Sequence, residues 1–166
     1  MLTGLSIRDV VLIEALDLEF EAGLGVLTGE TGAGKSILLD ALGLALGARA
    51  DSGLVRSGAD KAQVTASFDA PINVLKLLAE NDIIIEAGEP VMVRRSVRAD
   101  GGSKAFINDQ PCSAALLRDA GVHLVEIHGQ HDDRGLLNPR GHRALLDSFG
   151  RCDTALVSGH FEAWQE

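Results

Sequence analysis

The sequence predicts an α/β fold, and three features of its first third carry that prediction. Leu5 to Glu21 alternates apolar with polar residues in two runs, which is typical of two half-buried strands joined by a turn after Asp9. A glycine-rich stretch, Gly29 to Gly34, follows the short apolar segment Gly25 to Thr28, which we interpret as a third strand. Ser36 to Leu46 is apolar on nearly every side, which predicts a helix buried on all its faces. This order of strand, glycine-rich loop and helix indicates an α/β protein.

The rest of the chain continues the mixture of strands and helices. Gly47 is expected to end the first helix, and the glycine- and serine-rich stretch Asp51 to Asp60 is expected to be a loop. Asp100-Gly101-Gly102 predicts a hairpin turn, and Val122 to Ile127 is interpreted as a second core strand. The remaining predicted strands are Val64–Phe68, Val91–Ala99 and Lys104–Asn108, and the remaining predicted helices are Val74–Glu80, Ser113–Ala120 with Ser113 as its cap, Leu145–Phe149 and Cys152–Glu166.

Composition and charge limit the class of protein. A chain of 166 residues, 46% hydrophobic and 23% charged, fits a soluble globular protein with a core. No apolar run is long enough to span a membrane, and the N-terminus lacks the pattern of a secretory signal. Two cysteines, Cys112 and Cys152, without metal-binding spacing favour a reducing compartment, so we expect a cytoplasmic protein.

The net charge of −9 argues against a surface that is basic throughout, as nucleic-acid-binding surfaces commonly are. A local basic patch and an ordinary solvated strand face are both open interpretations of the most densely basic stretch. That stretch contains Arg94, Arg95, Arg98 and Lys104.

The glycine-rich stretch has the spacing of a phosphate-binding loop, G-x-x-x-x-G-K-[ST]. Its residues are Gly29, Glu30, Thr31, Gly32, Ala33, Gly34, Lys35 and Ser36. Glycines let the backbone curl so that amide N–H groups converge on an anion, and the following helix adds its dipole. A lysine at position 35 can pair with the β- and γ-phosphates, and the Ser36 hydroxyl can ligate Mg²⁺. The sequence therefore predicts that ATP and Mg²⁺ bind here.

Beyond this loop, the chain resembles the N-terminal half of an SMC-like, ABC-type ATPase head, within a bacterial DNA-repair branch of that family. The resemblance covers residues 1–150, and its His-Gly-Gln-His stretch is more diagnostic than the phosphate loop. The stretches that carry it are Ile7–Ile13, Thr28–Ser36, Leu44–Arg49, Val125–Asp132 and Leu145–Gly150.

The resemblance implies a P-loop NTPase fold of ABC/SMC-head type, with a mixed sheet and an antiparallel β subdomain. It implies that residues 1–150 form the N-terminal lobe of the head and that residues 151–166 begin a coiled-coil helix. Gln130 matches the family's Q-loop glutamine, which ligates Mg²⁺ and senses the γ-phosphate. Arg56 matches an arginine that contacts nucleotide or faces DNA, with Arg49 as an alternative and a solvent-exposed role also open.

Two parts of an ABC-type site are missing from the chain: a Walker B aspartate followed by a glutamate, and a Ser-Gly-Gly signature loop. In the family these parts lie beyond the coiled coil, so the resemblance implies a lobe that is incomplete without its C-terminal half and inactive alone. It also implies ATP-driven dimerisation with a second head, action on DNA in double-strand-break repair, and a nucleoid-associated cytoplasmic location. The alternatives are a non-catalytic nucleotide-sensing module and a complete single-chain P-loop NTPase.

Overall fold

The computed structural model describes residues 1–28, 34–86, 88–127 and 142–150, together with Val157, His160, Phe161, Ala163 and Trp164. Within these ranges, the side chains at positions 35, 144, 145 and 148 are not described. The chain divides into two compact units, Met1–Ile127 and His128–Glu166.

The first unit is built on a six-stranded sheet in the order β2-β1-β3-β4-β5-β6, and every neighbouring pair is antiparallel. The predicted pair in Leu5 to Glu21 is confirmed as two antiparallel strands, and so is the hairpin at Asp100-Gly101-Gly102. The last strand was not predicted, because three residues are too few to show an alternation. The strands are β1 Leu2–Val10, β2 Ile13–Glu19, β3 Lys61–Phe68, β4 Val91–Arg98, β5 Ser103–Ile107 and β6 Gln110–Cys112.

Three α-helices of the described residues contribute to the core of this unit: α1 Gly34–Ala45, α2 Ile72–Ala79 and α3 Ala114–Leu124. The first contacts β1, β3 and β4, and the third contacts β5 and α2. Residues of β1, β3 and β4 that point toward the helices alternate along each strand, as a sheet with one covered face requires. The largest fully buried side chains include Phe68, Ile7, Leu44, Leu78, Ile107 and Leu117.

The prediction that α1 is buried on all faces is wrong. Ile37, Ala41 and Leu44 are buried, whereas Leu39 on the opposite side is 46% exposed. Only one side of the helix contacts the sheet. The other side therefore carries apolar side chains that no described residue covers.

Two predicted strands are also wrong. Gly25 to Thr28 has no regular structure, and Val26 is 75% exposed, because no described strand lies beside this segment to supply hydrogen bonds. Val122 to Ile127 is divided between the end of α3, which continues to Leu124, and irregular chain. The buried residues of α3 recur at helical spacing as Leu117, Ala120, Gly121 and Leu124.

Gly47 ends the first helix as predicted, and its backbone is left-handed, with a φ of +91°. A Cβ atom at this position would lie 2.6 Å from the carbonyl oxygen of Ala114 and 2.8 Å from the amide nitrogen of Arg118. The Arg118 guanidinium also donates to the Gly47 carbonyl oxygen at 3.1 Å. The turn after α1 therefore lies directly against α3.

The second unit contains α4, His142–Phe149, which includes the predicted helix Leu145–Phe149. The five described residues beyond position 150 are helical, as predicted for that stretch, and the rings of Phe161 and Trp164 lie 5.9 Å apart. Among the described residues, no helix combines the length and hydropathy that crossing a membrane requires.

Candidate nucleotide-binding site

The described part of the candidate phosphate site is the N-terminal end of α1. The helix begins at Gly34, its first turn carries no acidic side chain, and both Gly34 and Ser36 are exposed. A Cβ added at Gly34 would meet no atom within 4 Å. The positive end of the helix dipole therefore lies at an exposed position, and no described carboxylate of the first turn repels an anion. Gly29, Glu30, Thr31, Gly32, Ala33 and the Lys35 side chain lie outside the description.

Packing against the sheet fixes α1 along its length, from Ile37 in the first turn to Ala45 at its end. Ile37, Ala41, Leu44 and Ala45 are between 0% and 6% exposed, and the helix contacts three strands. Gly47, after the end of the helix, packs directly against α3 and leaves no space for a side chain. A rigidly supported helix end holds its amides in one direction, which is what binding a phosphate group needs.

Arg56 is held by the hairpin that connects β1 and β2. Its guanidinium lies 3.1 Å from a carboxylate oxygen of Glu14 and 3.7 Å from one of Asp9. Its amide donates to the Asp9 carbonyl oxygen at 2.9 Å. Both described partners of this guanidinium thus belong to the hairpin, and contact with a phosphate would require an exchange of partners. The sequence showed two acids beside the turn, but it did not show that they meet Arg56.

The hairpin itself has an unusual backbone. Asp9 and Val11 have φ angles of +52° and +50°. A positive φ is uncommon outside glycine and is rare for a β-branched residue such as Val11. The Val11 amide donates to the Leu54 carbonyl oxygen at 2.9 Å, and Val10 forms an isolated antiparallel bridge with Val55. These bonds attach the segment before Arg56 to the hairpin, and they explain how the left-handed residues are retained.

The other predicted site residues are not brought together with α1 by any described contact. Arg49, the alternative to Arg56, is exposed and lines an open pocket with Asp51 and Ser52. Gln130, the predicted Mg²⁺ ligand and Q-loop glutamine, lies outside the described residues.

The basic stretch on β4 and β5 is divided between the two faces of the sheet. Arg94 pairs with Asp109 at 2.7 Å and lies over the ring of Phe106, 4.6 Å from its centroid. Arg98 pairs with Asp100 at 2.7 Å. Arg95, by contrast, points to the helix-covered face with Val93 and Val97 and is 6% exposed. Lys104 pairs with Ser96 and therefore shares a face with Arg94 and Arg98, whereas Arg95 does not belong to that surface.

Comparison with known families identifies the chain's relatives. The AAA domain family matches residues 5–130. The DNA repair protein RecN of Xylella fastidiosa strain Temecula1 is 43% identical over 154 residues, which cover 93% of this chain and 28% of that protein. RecN of Vibrio cholerae is 39% identical over 170 residues, with coverages of 100% and 30%. The chain thus spans less than a third of the length of these relatives.

Solved structures agree on the fold. A chain from a study of ATP-driven dimerisation and DNA-stimulated activation of SMC ATPases has a TM-score of 0.61 at 22% identity, covering 89% of this chain and 98% of that one. The SMC head domain from Thermotoga maritima has a TM-score of 0.54 at 20% identity, with coverages of 71% and 41%. At these identities the likeness concerns the fold alone. The chain therefore belongs to the AAA domain family, has the fold of an SMC-type ATPase head, and is similar in sequence to the N-terminal part of RecN.

Proposed function

We propose that this chain is the ATP- and Mg²⁺-binding lobe of an SMC-like head in a RecN-type DNA double-strand-break repair protein. One observation supports the proposal most directly: the end of α1 that follows the glycine-rich sequence is open, exposed and free of acidic side chains in its first turn. An N-terminal helix end of this kind favours phosphate over any cationic ligand.

Each site residue has a chemical role in this proposal. Backbone amides of Gly29 to Gly34 would surround the phosphates, and the Lys35 ammonium would neutralise charge on the β- and γ-phosphates. The Ser36 hydroxyl and the Gln130 amide oxygen would complete the Mg²⁺ shell together with phosphate oxygens and water. Arg56, once released from Glu14 and Asp9, would stabilise the charge that develops during hydrolysis.

Hydrolysis would require parts that the rest of the protein supplies. The Walker B acids and the signature loop are absent from these 166 residues. The segment before the phosphate loop also exposes large apolar side chains, with Leu24 at 95%, Val26 at 75% and Leu27 at 53%. Large apolar side chains exposed close together in one segment indicate a surface that another polypeptide covers. We assign that role to the C-terminal half of the same head, which would bring the missing acids to the site.

Assembly follows the same reasoning. Residues 151–166 would begin the coiled-coil helix, residues 1–150 would form the head lobe, and ATP would join the head to a second copy. The complete cytoplasmic, nucleoid-associated protein would then act on DNA ends. ATP-driven dimerisation and DNA-stimulated activation of SMC ATPases were the subject of the structural study that includes the similar chain, which supports this order of events.

Binding of Mg²⁺-ATP to the purified chain tests the site. Lys35→Ala removes the charge that faces the phosphates, and we expect a dissociation constant about 10- to 100-fold higher by calorimetric titration. Lys61→Ala removes an exposed lysine on β3 and is the matched control, with affinity expected to stay unchanged. Equal affinity of the wild type and Lys35→Ala would contradict the proposed site.

A further inference from the structure

A second pocket lies at the edge of the sheet, where β6 ends and β5 continues without it. Arg95, Ala105 and Cys112 are direct neighbours across β4, β5 and β6, so they form one row on the helix-covered face. Beyond this row, Ser103 and Lys104 extend past the end of β6. The resulting open pocket has a volume of about 400 Å³ and is lined by Arg95, Ser103, Lys104, Cys112 and Ala114, among others.

Arg95 is the unusual residue of this pocket. The residue is 94% buried, and its Nε atom, like that of Arg94, has no hydrogen-bond partner in the described part of the chain. Its neighbours Arg94 and Arg98 each have a carboxylate at 2.7 Å, whereas no described carboxylate pairs with Arg95. Burial lowers the pKa of this guanidinium from the usual value of an arginine, yet an arginine stays charged in proteins. A buried charge without a partner is costly, so a buried arginine is normally paired.

The surroundings of the pocket add positive potential. Arg118 lies close enough that its charge also lowers the pKa of Arg95. Burial raises the pKa of the Cys112 thiol, so this group is neutral near pH 7 and does not compensate the arginine.

The N-terminal end of α3 opens at the same place. Ala114, its first residue, lines the pocket, and the first turn has no acidic side chain. Ser113 caps the helix by accepting a hydrogen bond from the Leu116 amide at 3.0 Å. The earlier amides of the turn have no partner within the helix and strengthen the preference for an anion.

We propose that this pocket binds an oxyanion of the phosphate type between the Arg95 guanidinium and the N-terminal end of α3. The pocket is larger than a bare phosphate needs and falls within the size range of small-molecule sites, so the anion would carry a substituent. A diphosphate group of a nucleotide and the backbone phosphate of DNA supply the same chemistry. None of the pocket's described lining residues belongs to the phosphate-loop sequence, and the proposal does not depend on the function proposed above.

Alkylation of Cys112 reports on occupancy, because the thiol is half-buried in the pocket. The rate is measured at constant pH with iodoacetamide, by mass spectrometry of the Cys112 peptide, in a Lys35→Ala background that weakens phosphate binding at the loop. Added pyrophosphate or a short DNA duplex should slow the reaction in a saturable manner. If pyrophosphate protects the thiol and the duplex does not, the site binds a small phosphate ligand. If the duplex protects more strongly than pyrophosphate, the site binds nucleic acid.

Arg95→Met and Arg98→Met are the matched pair on β4. Arg95→Met should raise the half-saturating concentration of the protecting probe about 10-fold or more, because charge-assisted hydrogen bonds are lost. Arg98→Met should leave the half-saturating concentration unchanged, and Arg95→Lys, which keeps the charge, should retain part of the affinity. Each variant is compared with itself without probe, since Arg95 also affects the thiol pKa. Absence of protection by either probe, or equal protection in Arg95→Met and the parent, would overturn the proposal.

Discussion

Single residues decide where two parts of the first unit can approach each other. Gly47 has a left-handed backbone and lies so close to α3 that a side chain would meet main-chain atoms of Ala114 and Arg118. Gly58 has a similar φ of +87°, but a Cβ there would meet no atom within 4 Å. Alanine substitutions at the two glycines therefore distinguish the energy of backbone strain, which both introduce, from the energy of a steric clash, which only Gly47→Ala introduces.

We expect Gly47→Ala to lower the free energy of unfolding by more than about 2 kcal/mol, because the strain of the left-handed backbone and the clash add together. Gly58→Ala should lower the free energy of unfolding by only about 1 kcal/mol, because it introduces the strain alone. Urea denaturation followed by circular dichroism measures both values. Equal losses in the two variants would show that the approach of α1 to α3 is less restrictive than the structure indicates.

Arg56 illustrates how much of a site residue the sequence can predict. Resemblance to a family identified the position as a candidate, but the two carboxylates that hold it come from a hairpin about 40 residues earlier. Contacts at that sequence distance have no local signal, so the pairing with Glu14 and Asp9 could only be read from the structure. The same holds for Arg95, whose burial depends on the face that β4 presents to the helices.

At the scale of elements, the helices and long strands were predictable where one face is buried against the sheet. Strands β1, β3 and β4 place buried residues at alternate positions, and their bounds agree with the sequence pattern within a few residues. Val122 to Ile127 was misassigned because a short apolar run fits a strand or a helix equally well. The four buried positions of α3 from Leu117 to Leu124 settle the matter, since they recur at the spacing of a helix.

Helix α2 offers a direct test of how one buried face stabilises an element. Leu78 is 0% exposed and Ile72, on the same helix, is 73% exposed. Leu78→Ala should lower the free energy of unfolding by about 2–5 kcal/mol, because it leaves a cavity in the core. Ile72→Ala should change it by less than about 0.5 kcal/mol. Chemical denaturation distinguishes the two, and a loss in Ile72→Ala as large as in Leu78→Ala would mean that α2 packs differently.

For the whole molecule, the described sheet is the antiparallel part of a head, and the segment leading to the phosphate loop is not paired within it. Gly25 to Thr28 was predicted as a strand because its residues are apolar, but a strand also needs a neighbour. The sequence can indicate the tendency of a segment, but not whether a neighbouring strand pairs with it, and no described strand does so here.

The central claim is that this lobe holds ATP but needs further polypeptide for hydrolysis. It is tested most directly by Mg²⁺-dependent ATP hydrolysis, measured for this chain alone and after adding the C-terminal part of a RecN-type protein, with Lys35→Ala in parallel. We predict no turnover by the chain alone, and turnover that appears on mixing and is abolished by Lys35→Ala. Lys35-dependent turnover by the isolated chain would contradict the account and indicate a complete single-chain NTPase. ATP binding without turnover on mixing would instead favour a nucleotide-sensing module.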